Sequence, residues 1–350
     1  MKKTGNLNID RILPIRTPRY IAAQLPLTDA ISEHVTSARN VIKDILNGKD
    51  KRFLMIIGPC SIHDPDAAIE YAQRLKELSK EVRETQFFVI RIYFEKPRSS
   101  IGWKGLINDP HMDGSHDIDA GLYIARKLLL DINVIGLPIA TEMLDPFTPQ
   151  FTADLISWAA IGARTVESQT HRELASGISM PVGFKNSTDG SIDVAIGAMK
   201  SASHPHSFIG INEDGMASIV RTRGNPYVHI VLRGGENRPN FDRVSVERVI
   251  SHLKEEDLRA KVLIDCSHGN SFKDHTKQPL VLKDVLRQRI DGNTDIIGCM
   301  IESNLKAGNQ PIPENLDELE YGISVTDKCV DWESTVEMVH MTHEFLLRQE

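Results

Sequence analysis

Cysteine is scarce in this chain. Four occur in 350 residues, Cys60, Cys266, Cys299 and Cys329, and no two form a C-x-x-C pair. That spacing excludes a zinc finger or a disulfide-stapled scaffold and predicts free thiols in a reducing compartment. The first residues, MKKTGNLNID, lack the apolar core of a secretory signal, so a cytoplasmic location is expected and the Asn186-Ser-Thr triplet is an accidental glycosylation match. No apolar run reaches the roughly 18 residues that a membrane span needs. Nor is there a surplus of positive charge: the net charge is -7 and the pI about 6.0, which excludes a general affinity for nucleic acid or anionic membrane. Phosphate-binding glycine loops are absent too. LRGGEN at Leu232 is too short for a dinucleotide fingerprint and no G-x-x-x-x-G-K-[ST] occurs, which disfavours nucleotide cofactors.

What is present is a large apolar fraction, 41%, enough for one big α/β barrel or two ordinary domains. From Phe53 onward, short runs rich in Ile and Val alternate with stretches of helical period. The strand candidates are FLMIIG (53–58), FFVIRIYF (87–94), LPIATE (137–142), IGART (161–165), PVGFK (181–185), VHIVLRG (228–234), KVLIDCSH (261–268) and IIGCMIES (296–303). Between them lie helical patterns such as AAIEYAQRLKELSKEV, AGLYIARKLLLDINVI and FTADLISWAA. Eight strand-helix repeats outline a (β/α)8 TIM barrel, with a doubly wound sheet as the competing architecture. Two parts exceed a minimal barrel. Residues 1–50 form an N-terminal extension with an amphipathic helix ending at Gly48, ahead of a catalytic barrel at 51–350. Residues 207–223 read as an inserted β-hairpin turning at Glu213-Asp214-Gly215.

Barrel enzymes build their sites at the carboxyl ends of the strands. In strand order those ends carry Cys60, Arg91, Glu142, Arg164, Lys185, Arg233, His268 and Glu302. Any one of these is more often a capped or ion-paired strand terminus, but eight in succession are not. Arg91, Arg164, Lys185 and Arg233, joined by Lys96, form a cationic set suited to phosphate and carboxylate oxygens. Cys60, His268 and Glu302, joined by Asp327, form a donor set suited to Mn, Fe, Co or Zn. Cys60 is open to two other readings, a buried inert thiol or a nucleophile beside His63. His63 sits before a helix that Asp64 and Pro65 start, and carries no chemistry; Cys266 is read as structural.

The segments GPCSIHDPDAA, RIYFEKPRSSIGWKGLINDPHMDGS, WAAIGARTVESQTHRELASGISMPVGFKNSTDG, HIVLRGG, DCSHGNSFKD, MIESNLKAGNQ and YGISVTD closely resemble the type I, alpha-group 3-deoxy-D-arabino-heptulosonate 7-phosphate (DAHP) synthases. The resemblance runs from about residue 10 over essentially the whole chain. It implies a metal-dependent, aldol-like condensation of phosphoenolpyruvate with erythrose 4-phosphate that opens the shikimate route to aromatic amino acids. By resemblance, Cys60, His268, Glu302 and Asp327 hold one divalent metal ion. Arg91, Lys96, Arg164, Lys185 and Arg233 hold phosphoenolpyruvate, Glu142 stands near the attacking water, and Pro97, Arg98 and Ser99 receive erythrose 4-phosphate. The family's K-P-R-T-T is K-P-R-S-S here, which keeps both hydroxyls; Val166 and Ser187 replace the usual Thr and Gly away from any named ligand. Lys96 and Glu142 are the acid-base candidates.

Family members are feedback-inhibited by an aromatic amino acid and assemble as homodimers or homotetramers. The implied inhibitor pocket includes Pro146, Gln150, Leu174, Ile178, Ser179, Phe208, Gly210 and Val220, closed by the N-terminal arm of an adjacent subunit. Phe-sensitive relatives carry Met and Ser where Pro146 and Gly210 stand. Both differences leave room for a phenolic hydroxyl, and LDPFTPQ, SMPVGFKN and FIGIN resemble the Tyr-sensitive class, so tyrosine is the expected inhibitor. Two competing functions remain: a Schiff-base aldolase using Lys185, and a catalytically silent sugar-phosphate sensor. The second predicts a missing ligand, yet all four are present.

Overall fold

The computed structural model describes residues 2–98 and 100–348; Ser99 lies outside the described residues. Its strands are β1 (Phe53–Gly58), β2 (Gln86–Arg91), β3 (Ile139–Glu142), β4 (Trp158–Ile161), β5 (Val182–Lys185), β6 (Ser207–Ile211), β7 (Ala217–Arg221), β8 (Val228–Leu232), β9 (Val262–Asp265) and β10 (Ile296–Glu302). All except β6 and β7 pair in parallel and close into a barrel, with Leu54 of β1 opposite both Phe87 and Gly298. The helices are α1 (Pro18–Gln24), α2 (Asp29–Leu46), α3 (Pro65–Glu81), α4 (Ile118–Ile135), α5 (Pro149–Thr152), α6 (Gln169–Ala175), α7 (Asp193–Ala202), α8 (Arg243–Glu255), α9 (Gln278–Ile290) and α10 (Trp332–Leu347). This is the expected (β/α)8 architecture with an N-terminal extension and an inserted hairpin.

Side-chain alternation splits the core in two. Phe53, Met55 and Ile57 of β1 join the large cluster between sheet and helices, whereas Leu54 and Ile56 join Val89, Ala140, Trp158, Ala160, Val231, Leu263 and Met300 inside the barrel. Continued toward the carboxyl ends, the inward parity selects Arg91, Glu142, Lys185, Arg233, Asp265 and Glu302. Cys266 and Cys299 belong to the outer cluster, as the structural reading of Cys266 requires. The floor is closed by α2, whose Ile42, Ile45 and Leu46 belong to the inner cluster.

Helix starts follow local chemistry. The Asp64 carboxylate accepts from the Asp66 and Ala67 backbone N–H groups with Pro65 at the first turn of α3, and α4 ends at Gly136 in the left-handed region, φ 89°. Several strands are shorter than expected, β2 ending at Arg91 and β9 at Asp265, and one is displaced. FTADLISWAA was expected as helix and IGART as strand, but helical structure stops at Leu155 and β4 occupies Trp158–Ile161. Trp158 and Ala160 face the interior while Ala159 and Ile161 face the helices, a period of two that the apolar spacing of Phe151, Leu155 and Ile156 hides. Arg164 therefore stands in a loop beyond the strand. Helix α10, which the sequence reading leaves unassigned, packs on α9 and completes the ring.

β6 and β7 pair antiparallel from Ser207↔Arg221 to Ile211↔Ala217, turning through Glu213, Asp214 and Gly215 (φ 73°) as the EDG signal predicts. Arg19, in the first turn of α1, donates its backbone N–H to the Glu213 carbonyl and its guanidinium to Asp214, so the root of the arm is clipped to the turn.

Candidate active site

Cys60 lies two residues past β1 and is fully buried. Lys96 Nζ donates to its Sγ at 3.0 Å. Burial, helped by the charge of Glu302 and opposed by Lys96, pushes the thiol up to about 11. Glu302 ends β10, and its Oε1 accepts from Arg91 Nη2 at 3.0 Å, both side chains being shut off from solvent. The sulfur of Cys60 and carboxylate oxygens of Glu302 and Asp327 lie within 4.8 Å of one another. His268 comes in from the loop after β9, with a left-handed backbone (φ 54°) and Nε2 3.6 Å from Glu302 Oε1. Asp327 is pushed up by burial but held below the usual carboxylate range by His268, Lys96, Lys273 and Arg164. The sulfur and two carboxylates that converge this closely, with the imidazole nitrogen beside Glu302 but outside that triad, fit a divalent transition metal ion.

Above this cluster opens a cavity of about 540 Å³. Lys96, Pro97, Arg98, Glu142, Arg164, Lys185, Arg233, His268 and Asp327 all line it. Arg91 does not: its guanidinium stacks over the Tyr93 ring at 4.0 Å and is held by Glu302 beneath the mouth. Arg164 reaches the Pro97 carbonyl at 3.2 Å, tying it to the Lys96-Pro97-Arg98 loop, and Arg98 donates to the Trp103 carbonyl at 2.7 Å. Burial lowers the Arg233 guanidinium, with Asp265 opposing. For Lys96, burial works against the ammonium, but Cys60 and Glu302 outweigh it and raise its pKa. So many cations around one cavity in an acidic chain favour a multiply charged anion.

Two residues, one buried beneath the cavity and one in its wall, were missed by the sequence reading. Asp265 accepts from Lys185 Nζ and from His268 Nδ1, each at 2.9 Å; its inward parity on β9 was the available signal. Lys273, which adds a cation to the wall, stands in a loop with left-handed backbone at φ 59°, and nothing in the sequence marks it. Glu142 has room only because residue 162 is glycine: a Cβ there would lie 2.1 Å from Glu142 Oε1.

Of the expected inhibitor-pocket residues, Phe208 and Val220 are paired across the hairpin, and Gly210 lies against Val220, where a Cβ would stand 2.8 Å from Val220 Cγ2. Leu174 is buried in α6, Ile178 and Ser179 follow it, and Pro146 and Gln150 flank the start of α5. The Ser176 hydroxyl meets that of Thr222 at 2.7 Å, joining the end of α6 to the hairpin.

Among the described residues no helix is long and apolar enough to cross a membrane. A sequence profile described as "DAHP synthetase I family" matches residues 28–340. The Tyr-sensitive phospho-2-dehydro-3-deoxyheptonate aldolase of Salmonella typhimurium is 51% identical over 345 residues, 99% of this chain and 97% of the relative. The Phe-sensitive enzyme of Escherichia coli K12 is 52% identical over 333 residues, 95% of each chain. The solved structure of phospho-2-dehydro-3-deoxyheptonate aldolase from Francisella tularensis SCHU S4 superposes with a TM-score of 0.95 at 50% identity, covering 98% of this chain and all of that one. A barrel whose mouth joins a thiol-imidazole-carboxylate cluster to a wall of cations, matched end to end by these relatives, belongs to the DAHP synthetase I family.

Proposed function

We propose that this barrel condenses phosphoenolpyruvate with D-erythrose 4-phosphate and water to give DAHP and inorganic phosphate. The observation that carries the reading is the convergence of Cys60, His268, Glu302 and Asp327 beneath a cavity walled by Lys96, Arg98, Arg164, Lys185 and Arg233. Carbon 3 of phosphoenolpyruvate bonds to the aldehyde carbon of erythrose 4-phosphate, water adds at carbon 2, and the bond from carbon 2 to the phosphate oxygen breaks, releasing phosphate. Arg164, Lys185 and Arg233 orient the phosphate and carboxylate of phosphoenolpyruvate, Arg91 supports the site from below through Glu302, and Pro97, Arg98 and Ser99 receive the second phosphate. Lys96 gives a proton to the aldehyde oxygen and Glu142 takes one from the attacking water. A divalent ion held by the four donors, Mn, Fe, Co or Zn, supplies Lewis acidity toward the carbonyl. The Schiff-base alternative is disfavoured because Lys185 is ion-paired with Asp265 rather than presented as a free amine.

The same reading assigns residues 51–350 to catalysis and residues 1–50 with the hairpin at 207–223 to assembly and regulation in a homodimer or homotetramer. Tyrosine is the inhibitor, seated by Pro146, Gln150, Leu174, Ile178, Ser179, Phe208, Gly210 and Val220. The enzyme works in the cytoplasm. Phosphate release from the two substrates tests this, with protein chelated and then resupplied with Mn²⁺, each with and without tyrosine. Activity that survives chelation overturns the metal assignment, and stronger inhibition by phenylalanine or tryptophan overturns the tyrosine assignment.

A further inference from the structure

The side chain that joins the two halves of the site is Asp265. It is completely buried, and one of its oxygens, Oδ2, takes both the Lys185 ammonium and the His268 Nδ1, each at 2.9 Å. The other oxygen, Oδ1, accepts from the Ser267 backbone N–H at 3.0 Å and the Ser267 hydroxyl at 2.6 Å. Because that hydroxyl is committed as a donor to Asp265, it can only accept from His268 Nδ1, 2.7 Å away. Both neighbours of Nδ1 are therefore acceptors, which places the ring proton on Nδ1 and leaves the Nε2 lone pair facing Glu302 and the donor cluster.

We propose that Asp265 is a positioning residue that fixes the tautomer and direction of His268 and, through the same oxygen, the position of Lys185, so that binding of the divalent metal and of phosphoenolpyruvate are coupled. The inference rests on the synthase reading and deepens it. Lys185 and His268 compete for one carboxylate oxygen: a phosphoenolpyruvate anion that draws the ammonium away leaves Oδ2 to the imidazole, which makes His268 the stronger donor. Substrate and metal thus each tighten the other's hold, as reciprocal coupling requires.

The test is Mn²⁺ titration of the chelated full-length protein, followed by the electron spin resonance signal of free Mn²⁺, with and without phosphoenolpyruvate. In the wild type, phosphoenolpyruvate is expected to tighten Mn²⁺ binding. Asp265→Asn is expected to weaken Mn²⁺ binding by about 10- to 100-fold, to raise the KM for phosphoenolpyruvate and to abolish the tightening; a folded variant that binds Mn²⁺ within twofold of wild type overturns the proposal. Should that variant misfold, Lys185→Gln decides. It is expected to tighten Mn²⁺ binding severalfold, and more than Arg233→Gln, which removes a cation from the same wall but makes no hydrogen bond to Asp265. Equal shifts in the two variants overturn the proposal. Failure of the synthase reading is distinct: the wild type would then release no phosphate with any metal.

Discussion

The Thr148 hydroxyl donates to Glu95 Oε2 at 3.2 Å, joining the segment after β2 to the segment after β3. The backbone N–H of Asp145 reaches the same oxygen at 3.5 Å. Glu95 adjoins Lys96, Pro97 and Arg98 in sequence, while Asp145 and Thr148 bracket Pro146 and its neighbours at the proposed inhibitor pocket. Burial, reinforced by Asp145, pushes the Glu95 carboxyl up to about 8. A raised carboxyl contributes most at low pH, below its unfolded value, and that contribution is lost as pH rises toward 8. Glu95→Gln is therefore expected to gain stability over wild type as pH goes from 5 to 8, read as a difference in Tm that widens with pH. Equal differences at both ends would contradict it.

His229 runs the other way. It is buried inside the barrel, accepts from Trp158 Nε1 at 2.9 Å, and burial pushes it down to about 4. A neutral buried imidazole costs nothing above its unfolded pKa and progressively more below it, so the wild type loses stability as pH falls from about 6.5 to 4, by about 3 kcal/mol at the lower limit. His229→Gln, which keeps an acceptor for Trp158, should show a flatter urea midpoint between pH 7 and 4.5.

Gly162→Ala tests the placement of Glu142. A methyl group 2.1 Å from Glu142 Oε1 displaces a flexible carboxylate rather than backbone. The expected result is a Tm close to wild type with kcat reduced tenfold or more. A variant with wild-type kcat would remove Glu142 from the proton transfers.

Gly210→Ser addresses inhibitor choice. The added Cβ meets Val220 Cγ2 at 2.8 Å on the face shared by Phe208 and Val220. Activity without inhibitor is expected to hold, with the tyrosine concentration for half-inhibition raised about tenfold and phenylalanine gaining relative to tyrosine. An unchanged tyrosine response would move the inhibitor away from the hairpin.

The barrel and most of its candidate site were legible because strand ends are written locally: a buried apolar run stops, and the next inward residue faces the barrel mouth. Cys60, Lys185 and Glu302 follow that rule. Asp265 follows it as well and was passed over for His268, since a histidine looks like chemistry and an aspartate at a strand end looks like a cap. β4 was misplaced because its residues are small: WAAI presents little contrast between faces, and the strand shows only once Trp158 is inside and Ile161 outside. Lys273 was out of reach. Its approach to the cavity depends on left-handed backbone at a non-glycine residue, which tertiary contacts impose.

Helix α2 gives the extension a double allegiance. Its Ile42, Ile45 and Leu46 plug the barrel interior, and Arg39 ties the same helix to the carbonyls of Ala153 and Ile156. A fragment cut at residue 50 would leave the inner cluster open to water, at about 1.5–3 kcal/mol for each large side chain uncovered. The point at which the extension can be removed without opening the barrel floor therefore lies ahead of Asp29.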